Sequence, residues 1–284
     1  MKKTLLTLMA SAVMGFMASL GLSAQDPVEI KAPELVKEKD KFHIYLFIGG
    51  SNMTGKVLFP KIDKKIDSRI FILNGDNEWK PSDEAQKFQD KTGDLAIAGP
   101  AISFGKFMIQ NNKKGLICVG IINCASENSQ IKDWAKGGEL YNKAVDKVKL
   151  AQKIGVLKGI AWHQGEPDAK NTDLKTYEDS TVKLISDLRL ELAPEQKIFP
   201  LPFVGGKLVS YPYDKDADIF REFNENLEKT YLEIDRHGFV ESKGLKVKGN
   251  STLFDNDSMI ELGRRYAESM SYLYGLRKTD LNKK

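Results

Sequence analysis

Apolar and polar positions fall in blocks along this chain, and the period changes from block to block. Short apolar runs at 43–49, 116–123, 157–163, 197–204 and 238–242 read as strands, with a shorter one at 69–73. Runs this apolar fit strands buried on both faces of a parallel sheet. Between them the period lengthens to that of a helix. Ile102, Phe104, Phe107 and Met108 mark one helix after Gly99-Pro100, and Tyr141, Ala144, Val145 and Val148 mark another. Tyr177, Thr181, Leu184, Ile185 and Leu188 share a 3.6-residue period, as do Ile260, Gly263, Tyr266, Ala267 and Met270. Strands alternating with helices imply a parallel sheet, five-stranded here, with helices on both faces and right-handed crossovers. The stretch 56–98 is less regular and reads as excursions over the crevice, apart from its short strand. No internal repeat or low-complexity tract interrupts the pattern.

The two ends differ from the body. Lys2 and Lys3 precede an apolar segment, Leu5 to Leu22, that ends in Ser23-Ala24-Gln25. That order of charge, apolar run and small residues is a secretory signal, so residues 1–24 are expected to be removed and the protein secreted or periplasmic. A membrane anchor is the rival reading, since the apolar run is long enough. Gly15, Gly21 and the small residues at its end favour cleavage, with no stable membrane insertion afterwards. Residues 25–40 are polar, contain two prolines and read as a linker. The folded domain is expected over 41–276, with a polar tail at 277–284.

Without the signal, about 260 residues remain, enough for one large α/β domain. The net charge of +4 drops by two when Lys2 and Lys3 are removed. A near-neutral chain gives no reason to expect nucleic acid or an anionic membrane as partner. Cys118 and Cys124 lie on one expected strand, roughly 20 Å apart, beyond disulfide reach.

The chemistry gathers at strand ends. Ile44 to Ile48 run into Gly49-Gly50 and deliver Ser51-Asn52-Met53. In doubly wound sheets the ligand crevice lies beyond the carboxyl ends of the strands, so Ser51 stands where a catalytic hydroxyl belongs. A Ser capping the next helix explains the same residue equally well. Three more segments follow expected strand ends or precede the last helix: 123–129, 161–168 and 250–255. The second is the densest, with Trp162, His163, Gln164, Glu166 and Asp168 within seven residues. His163, Glu166 and Asp168 are metal-ligand types, but their spacing matches no zinc pattern, and neither metal nor cofactor is expected.

These residues resemble a family. Gly49–Gly55 is similar to the Gly-Gln-Ser-Asn-Met-Ala-Gly block of the SGNH hydrolases, in the carbohydrate esterase branch of sialate O-acetylesterases and acetylxylan esterases. Gly99-Pro100 with Ser103-Phe104 resembles that branch's Gly-Pro block. Trp162-His163-Gln164-Gly165-Glu166-Pro167-Asp168 matches its Trp-His-Gln-Gly-Glu-Ser-Asp block except at Pro167, and Glu261–Ala267 resembles its C-terminal helix. The resemblance implies a three-layer α/β/α, flavodoxin-like domain that removes acetyl groups from sugars, with an acetylated carbohydrate as partner. It implies Ser51 as nucleophile, attacking the acetyl carbonyl with help from a His and an Asp. It also makes Gly50, Asn128 and Gln164 the oxyanion and substrate-binding candidates, the Gln164 amide joining backbone N–H groups.

The sequence departs from the family at the site itself. Phe254-Asp255 and the helix after them fix the register, which puts Leu253 at the family's His position and Asn250 at its Asp position. Leucine cannot accept a proton, and asparagine carries no charge. Gly50 replaces a Gln, and Glu127-Asn128 stand where Gly-Gly is usual. Glu127 would set a carboxylate near a developing anion. Three accounts follow. The chain is a glycan-binding relative without catalysis, or an esterase with a relocated base, or a structural or interaction protein on the same fold. For the second, His43 and His237 open their strands at the far edge, so His163 is the candidate base, oriented by Glu166 or Asp168. Trp134, Trp162 and Phe47 are candidates to line a sugar cleft, with Trp134 and Phe47 equally suited to the core.

Overall fold

Phe42–Gly49 forms strand β1 at the centre of the sheet. The computed structural model describes residues 30–54, 67–82, 99–112, 116–209, 216–249 and 251–275. The expected signal at 1–24, the tail at 277–284, most of 56–98, and Asn250 lie outside the described residues. No described helix is long and apolar enough to cross a membrane.

The other strands are β2 (Ile70–Leu73), β3 (Trp79–Pro81), β4 (Cys118–Asn123), β5 (Val156–His163), β6 (Phe203–Gly206) and β7 (His237–Val240). They form one sheet in the order β3-β2-β4-β1-β5-β6-β7. Every pairing is parallel except β2 with β3. Seven strands therefore replace the five expected. The first addition is the short run at 69–73, which joins the sheet beside β4. The second is β3, returned by the turn Asn74-Gly75-Asp76-Asn77, where Asn74 Oδ1 accepts the Glu78 N–H at 2.8 Å. Asn77 takes a positive φ of 63°, a conformation asparagine tolerates.

The fourth expected strand, 197–204, is also corrected. Pro200 and Pro202 lack the N–H that a central strand donates, so β6 begins only at Phe203. Ile198 and Phe199 are left 86% and 72% exposed.

Helices cover both faces. They are α1 (Ser51–Thr54), α2 (Ala101–Asn111), α3 (Glu139–Ala151), α4 (Asp168–Asn171), α5 (Leu174–Leu192), α6 (Ala217–Leu232) and α7 (Asn256–Leu273). The strand period of two sorts β1 between the faces. Phe42, Ile44, Leu46 and Ile48 pack with α3, α5 and α6, while Tyr45 and Phe47 pack with α2 and α7. The last helix is rotated slightly from expectation. Met259 and Leu262 are buried and Ile260 is exposed, because the N-cap Asp255, accepting the Ser258 N–H, fixes where the helix starts. The described part of the 25–40 linker packs on the domain: Ile30 joins the core and Val36 lies against it.

This topology positions the site. From β1 the chain builds one side of the sheet, through β2, β3 and β4, then crosses to β5 on the other. The reversal puts a switch point at the carboxyl end of β1, between the loops that leave β4 and β5.

Candidate active site

Ser51 stands at that switch point, on a turn only glycine can make. Gly49 has φ +127°, and a Cβ there would sit 2.2 Å from the His163 carbonyl oxygen. The Gly50 N–H donates to that same carbonyl at 2.8 Å, so the end of β1 is locked to the end of β5. The chain turns directly into α1. The Asn123 amide donates to the Met53 carbonyl at 2.7 Å and holds this short helix from the β4 side.

The loop after β4 follows the end of β1. Cys124 N–H donates to Phe47 O and Ser126 N–H to Gly49 O, both at 2.9 Å. This carries Asn128 to the serine, where its backbone N–H donates to Ser51 Oγ at 3.1 Å. Asn128 has φ 54°. Asparagine is among the few residues that enter this region readily, which explains how it replaces a glycine. Ser51's own N–H is the first of α1 and has no carbonyl within the helix to bond. Two backbone donors thus flank the hydroxyl. Glu127 is exposed, so water screens the carboxylate expected to oppose a nearby anion.

Gln164 does not supply a third donor. Its amide nitrogen donates to Ser129 O at 2.7 Å and to Asp168 Oδ2, which uses both of its N–H groups. Asp168 also accepts from the Ile131 N–H at 3.0 Å and from Thr172 Oγ1 at 2.6 Å. The Tyr177 hydroxyl donates to Gln164 O at 3.0 Å. Both residues are fully buried, so they form a scaffold under the β4 and β5 loops. Gly50, likewise, spends its N–H on His163.

The expected base, His163, makes its contacts in the α7 layer and is not hydrogen-bonded to the serine. Alternation along β5 sends Trp162 to the α5 face and His163 to the α7 face, where it meets the Phe254 and Tyr266 rings. Its Nδ1 lies 3.2 Å from the Tyr266 hydroxyl. That hydroxyl gives its only proton to Trp162 O at 2.7 Å, so it accepts from Nδ1–H. The neutral ring therefore presents a lone pair at Nε2, 3.8 Å from Glu166 Oε1. Burial pushes the His163 pKa down to about 4. Among the described residues, the hydrogen-bond partner of Ser51 Oγ is Asn128, not an imidazole. His43 and His237 open β1 and β7, at the far edge.

Asn52 ties the remaining parts together. Its Nδ2 donates to Glu166 Oε1 at 2.7 Å and to Thr252 O at 2.9 Å, and its Oδ1 accepts the Phe254 N–H at 3.0 Å. Residue 253 is thus clamped on both sides by the neighbour of Ser51. Lys248 N–H donates to Leu253 O at 2.8 Å, closing a hairpin with the Val247–Phe254 bridge. Burial raises the Glu166 pKa, the charge of Asp168 adds to this, and hydrogen bonds from the backbone and Asn52 oppose it.

A profile of the family described as carbohydrate esterase, sialic acid-specific acetylesterase, matches residues 41–272. The chain belongs to this carbohydrate esterase family. It is 25% identical over 256 residues to a probable carbohydrate esterase of Arabidopsis thaliana, covering 84% of this chain and 93% of that one. Solved structures share the fold. An Arabidopsis thaliana protein superposes with a TM-score of 0.67 at 22% identity, over 81% of this chain and 98% of the other. NanS gives 0.65 at 14%, over 84% and 99%. A carbohydrate acetylesterase from Xanthomonas citri gives 0.60 at 19%, over 82% of this chain and 56% of its own.

Two residues of this candidate site in a carbohydrate esterase family member escaped the sequence reading. Asn52 and Tyr266 both stand inside family-like blocks, but nothing in their spacing shows that one clamps the 252–254 segment and the other fixes the His163 tautomer. The aromatic candidates are corrected too. Trp134, Trp162 and Phe47 are fully buried, the two indoles packed edge to face at 5.6 Å, so they build core rather than a sugar cleft.

Proposed function

We propose that the protein hydrolyses acetyl esters of carbohydrates through Ser51, outside the cytoplasm, and far more slowly than an esterase with a complete triad. The observation that carries this reading is the Asn128 N–H on Ser51 Oγ at 3.1 Å. On this reading Ser51 is the nucleophile, and the Ser51 and Asn128 N–H groups serve its oxyanion, as acyl transfer requires. The slowness follows from position 253. Asn52 holds it beside the serine, and it carries an isobutyl group where the resemblance puts the family's histidine. Loss of a triad member removes several orders of magnitude and leaves the contribution of the oxyanion hole and binding.

Leu253 also favours a second reading, a glycan-binding relative without turnover. One experiment separates the two. Acetate release from p-nitrophenyl acetate and from acetylated xylan is measured for the purified chain and for Ser51→Ala. Slow release that disappears in the variant is expected. Equal rates in both proteins would leave only the binding reading.

A further inference from the structure

Resting on the hydrolytic reading of Ser51, we propose that Glu166, rather than His163, takes the proton of the serine hydroxyl. The order expected from sequence, with His163 as base and Glu166 as orienter, is overturned by depth. His163 is 0% exposed and cannot touch a substrate, while the Glu166 side chain keeps 13% of its surface open. The carboxylate lies against the residues on either side of Ser51. Oε1 accepts from Asn52 Nδ2 at 2.7 Å, and Oε2 lies 3.7 Å from the point that a Cβ on Gly50 would occupy. Glycine at position 50, where the family resemblance has Gln, leaves no side chain between the carboxylate and the serine turn.

The surroundings make this carboxylate more basic than an ordinary glutamate. The groups that face it are Asn52 on α1, His163 on β5, Asp168 on α4, Tyr231 on α6 and Tyr266 on α7. None of them is a cation at neutral pH. His163 turns a lone pair toward it, not an N–H, because Tyr266 holds the proton on Nδ1. A buried carboxylate facing a lone pair and another carboxylate binds a proton more readily than an exposed one, which suits a general base.

The step balances without a cofactor. Glu166 takes the Ser51 proton as Oγ bonds to the acetyl carbon, and the resulting oxyanion is met by the Ser51 and Asn128 N–H groups. Collapse breaks the bond to the sugar oxygen, which leaves with the proton from Glu166. Water then attacks the acetyl-serine, Glu166 takes its proton and returns it to Oγ, and acetate departs.

The test uses the full chain with p-nitrophenyl acetate, over a range of pH, for wild type, Ser51→Ala, Glu166→Gln and Glu166→Asp. Gln keeps an oxygen for Asn52 to donate to, so the clamp on residues 252–254 is retained. The Ser51-dependent rate should fall about 100-fold or more in Glu166→Gln, the range of a lost general base. In wild type that rate should rise with pH through one ionisation above the ordinary glutamate range, and this ionisation should vanish in Glu166→Gln. If that variant does not fold, Glu166→Asp should keep the ionisation with a reduced rate. Ser51-dependent turnover that persists in folded Glu166→Gln with an unchanged pH profile would overturn this inference and leave the hydrolytic reading intact. An undiminished rate in Glu166→Asp would do the same. Wild-type rates equal to those of Ser51→Ala would overturn both.

Discussion

On the hydrolytic reading proposed above, replacing Leu253 by histidine together with Asn250 by aspartate should raise the rate of acetate release. The expectation rests on the Asn52 clamp. Its bonds to Thr252 O and from Phe254 N–H, at 2.9 and 3.0 Å, hold the backbone at 253 from both sides, one residue away from the nucleophile. The Val247–Phe254 bridge fixes the same segment independently. An imidazole introduced there would start from a backbone already in place and cost little to orient. A well-placed general base contributes roughly 100- to 10,000-fold over none, about 2.7–5.4 kcal/mol of barrier, so the gain should be the part of that range that Glu166 does not already supply. Leu253 is only partly buried, so its loss should cost about 1 kcal/mol of stability or less. The assay is acetate release from acetylated xylan, with urea unfolding as the control for folding. Leu253→His alone should gain less, because no carboxylate then fixes the ring, and its rate should rise with pH near the ordinary histidine pKa of about 6.5. A double variant with wild-type stability and an unchanged rate would refute the reasoning. So would a gain that survives Ser51→Ala.

Three other outcomes follow from the same contacts. Asn52→Ala removes three hydrogen bonds and strands the buried Phe254 N–H, so urea unfolding should show a loss of about 3 kcal/mol. Gly206→Ala puts a Cβ 2.2 Å from both His163 Nδ1 and the Tyr266 hydroxyl, and should lower the thermal midpoint more than alanine at an exposed glycine such as Gly244, where the conformational cost acts alone. Acid should weaken the fold through His163, whose pKa is lowered from 6.5 to about 4. Between those values the unfolded chain takes up a proton that the fold refuses. The stability is therefore complete above the unfolded pKa and falls by up to about 1.4 kcal/mol per pH unit below it. His43, also lowered to about 4, adds a slope of the same sign, and the raised Glu166 opposes both. Unfolding midpoints of His163→Gln should depend less steeply on pH in that window, and an unchanged slope would contradict the buried neutral imidazole.

The layers of this fold were legible because burial writes a period into the chain. Tyr141, Ala144, Val145 and Val148 recur as a helix must, and all four lie on the buried face of α3. What the period could not give was edge and boundary. A three-residue edge strand such as β3 has too few positions to alternate, and the two prolines before Phe203 stopped a strand that hydropathy alone would extend. The α6 helix passed unmarked although Phe220, Phe223, Leu227 and Tyr231 line its inner face.

The same distinction decides what could be known of the site. Parallel pairing of β1 with β5 brings Gly49 opposite His163, so proximity of the two loops was readable from strand order. The side of the sheet to which a side chain at the strand end is sent was not. Alternation turns His163 into the α7 layer, and the glutamate three residues later, already in the loop, returns to the crevice. A histidine beside a serine in topology thus meets Tyr266 and Phe254 rather than the hydroxyl. The same three residues of sequence that hid the imidazole leave a carboxylate at the surface of the site. On the hydrolytic reading proposed above, a chain with leucine where the resemblance puts the imidazole would keep its oxyanion donors because they are backbone. The bonds that place them, Gly50 N–H to His163 O and Ser126 N–H to Gly49 O, also join the central strands. Dismantling those donors would break bonds of the sheet, whereas position 253 sits on a partly exposed hairpin and can change at a cost of about 1 kcal/mol or less.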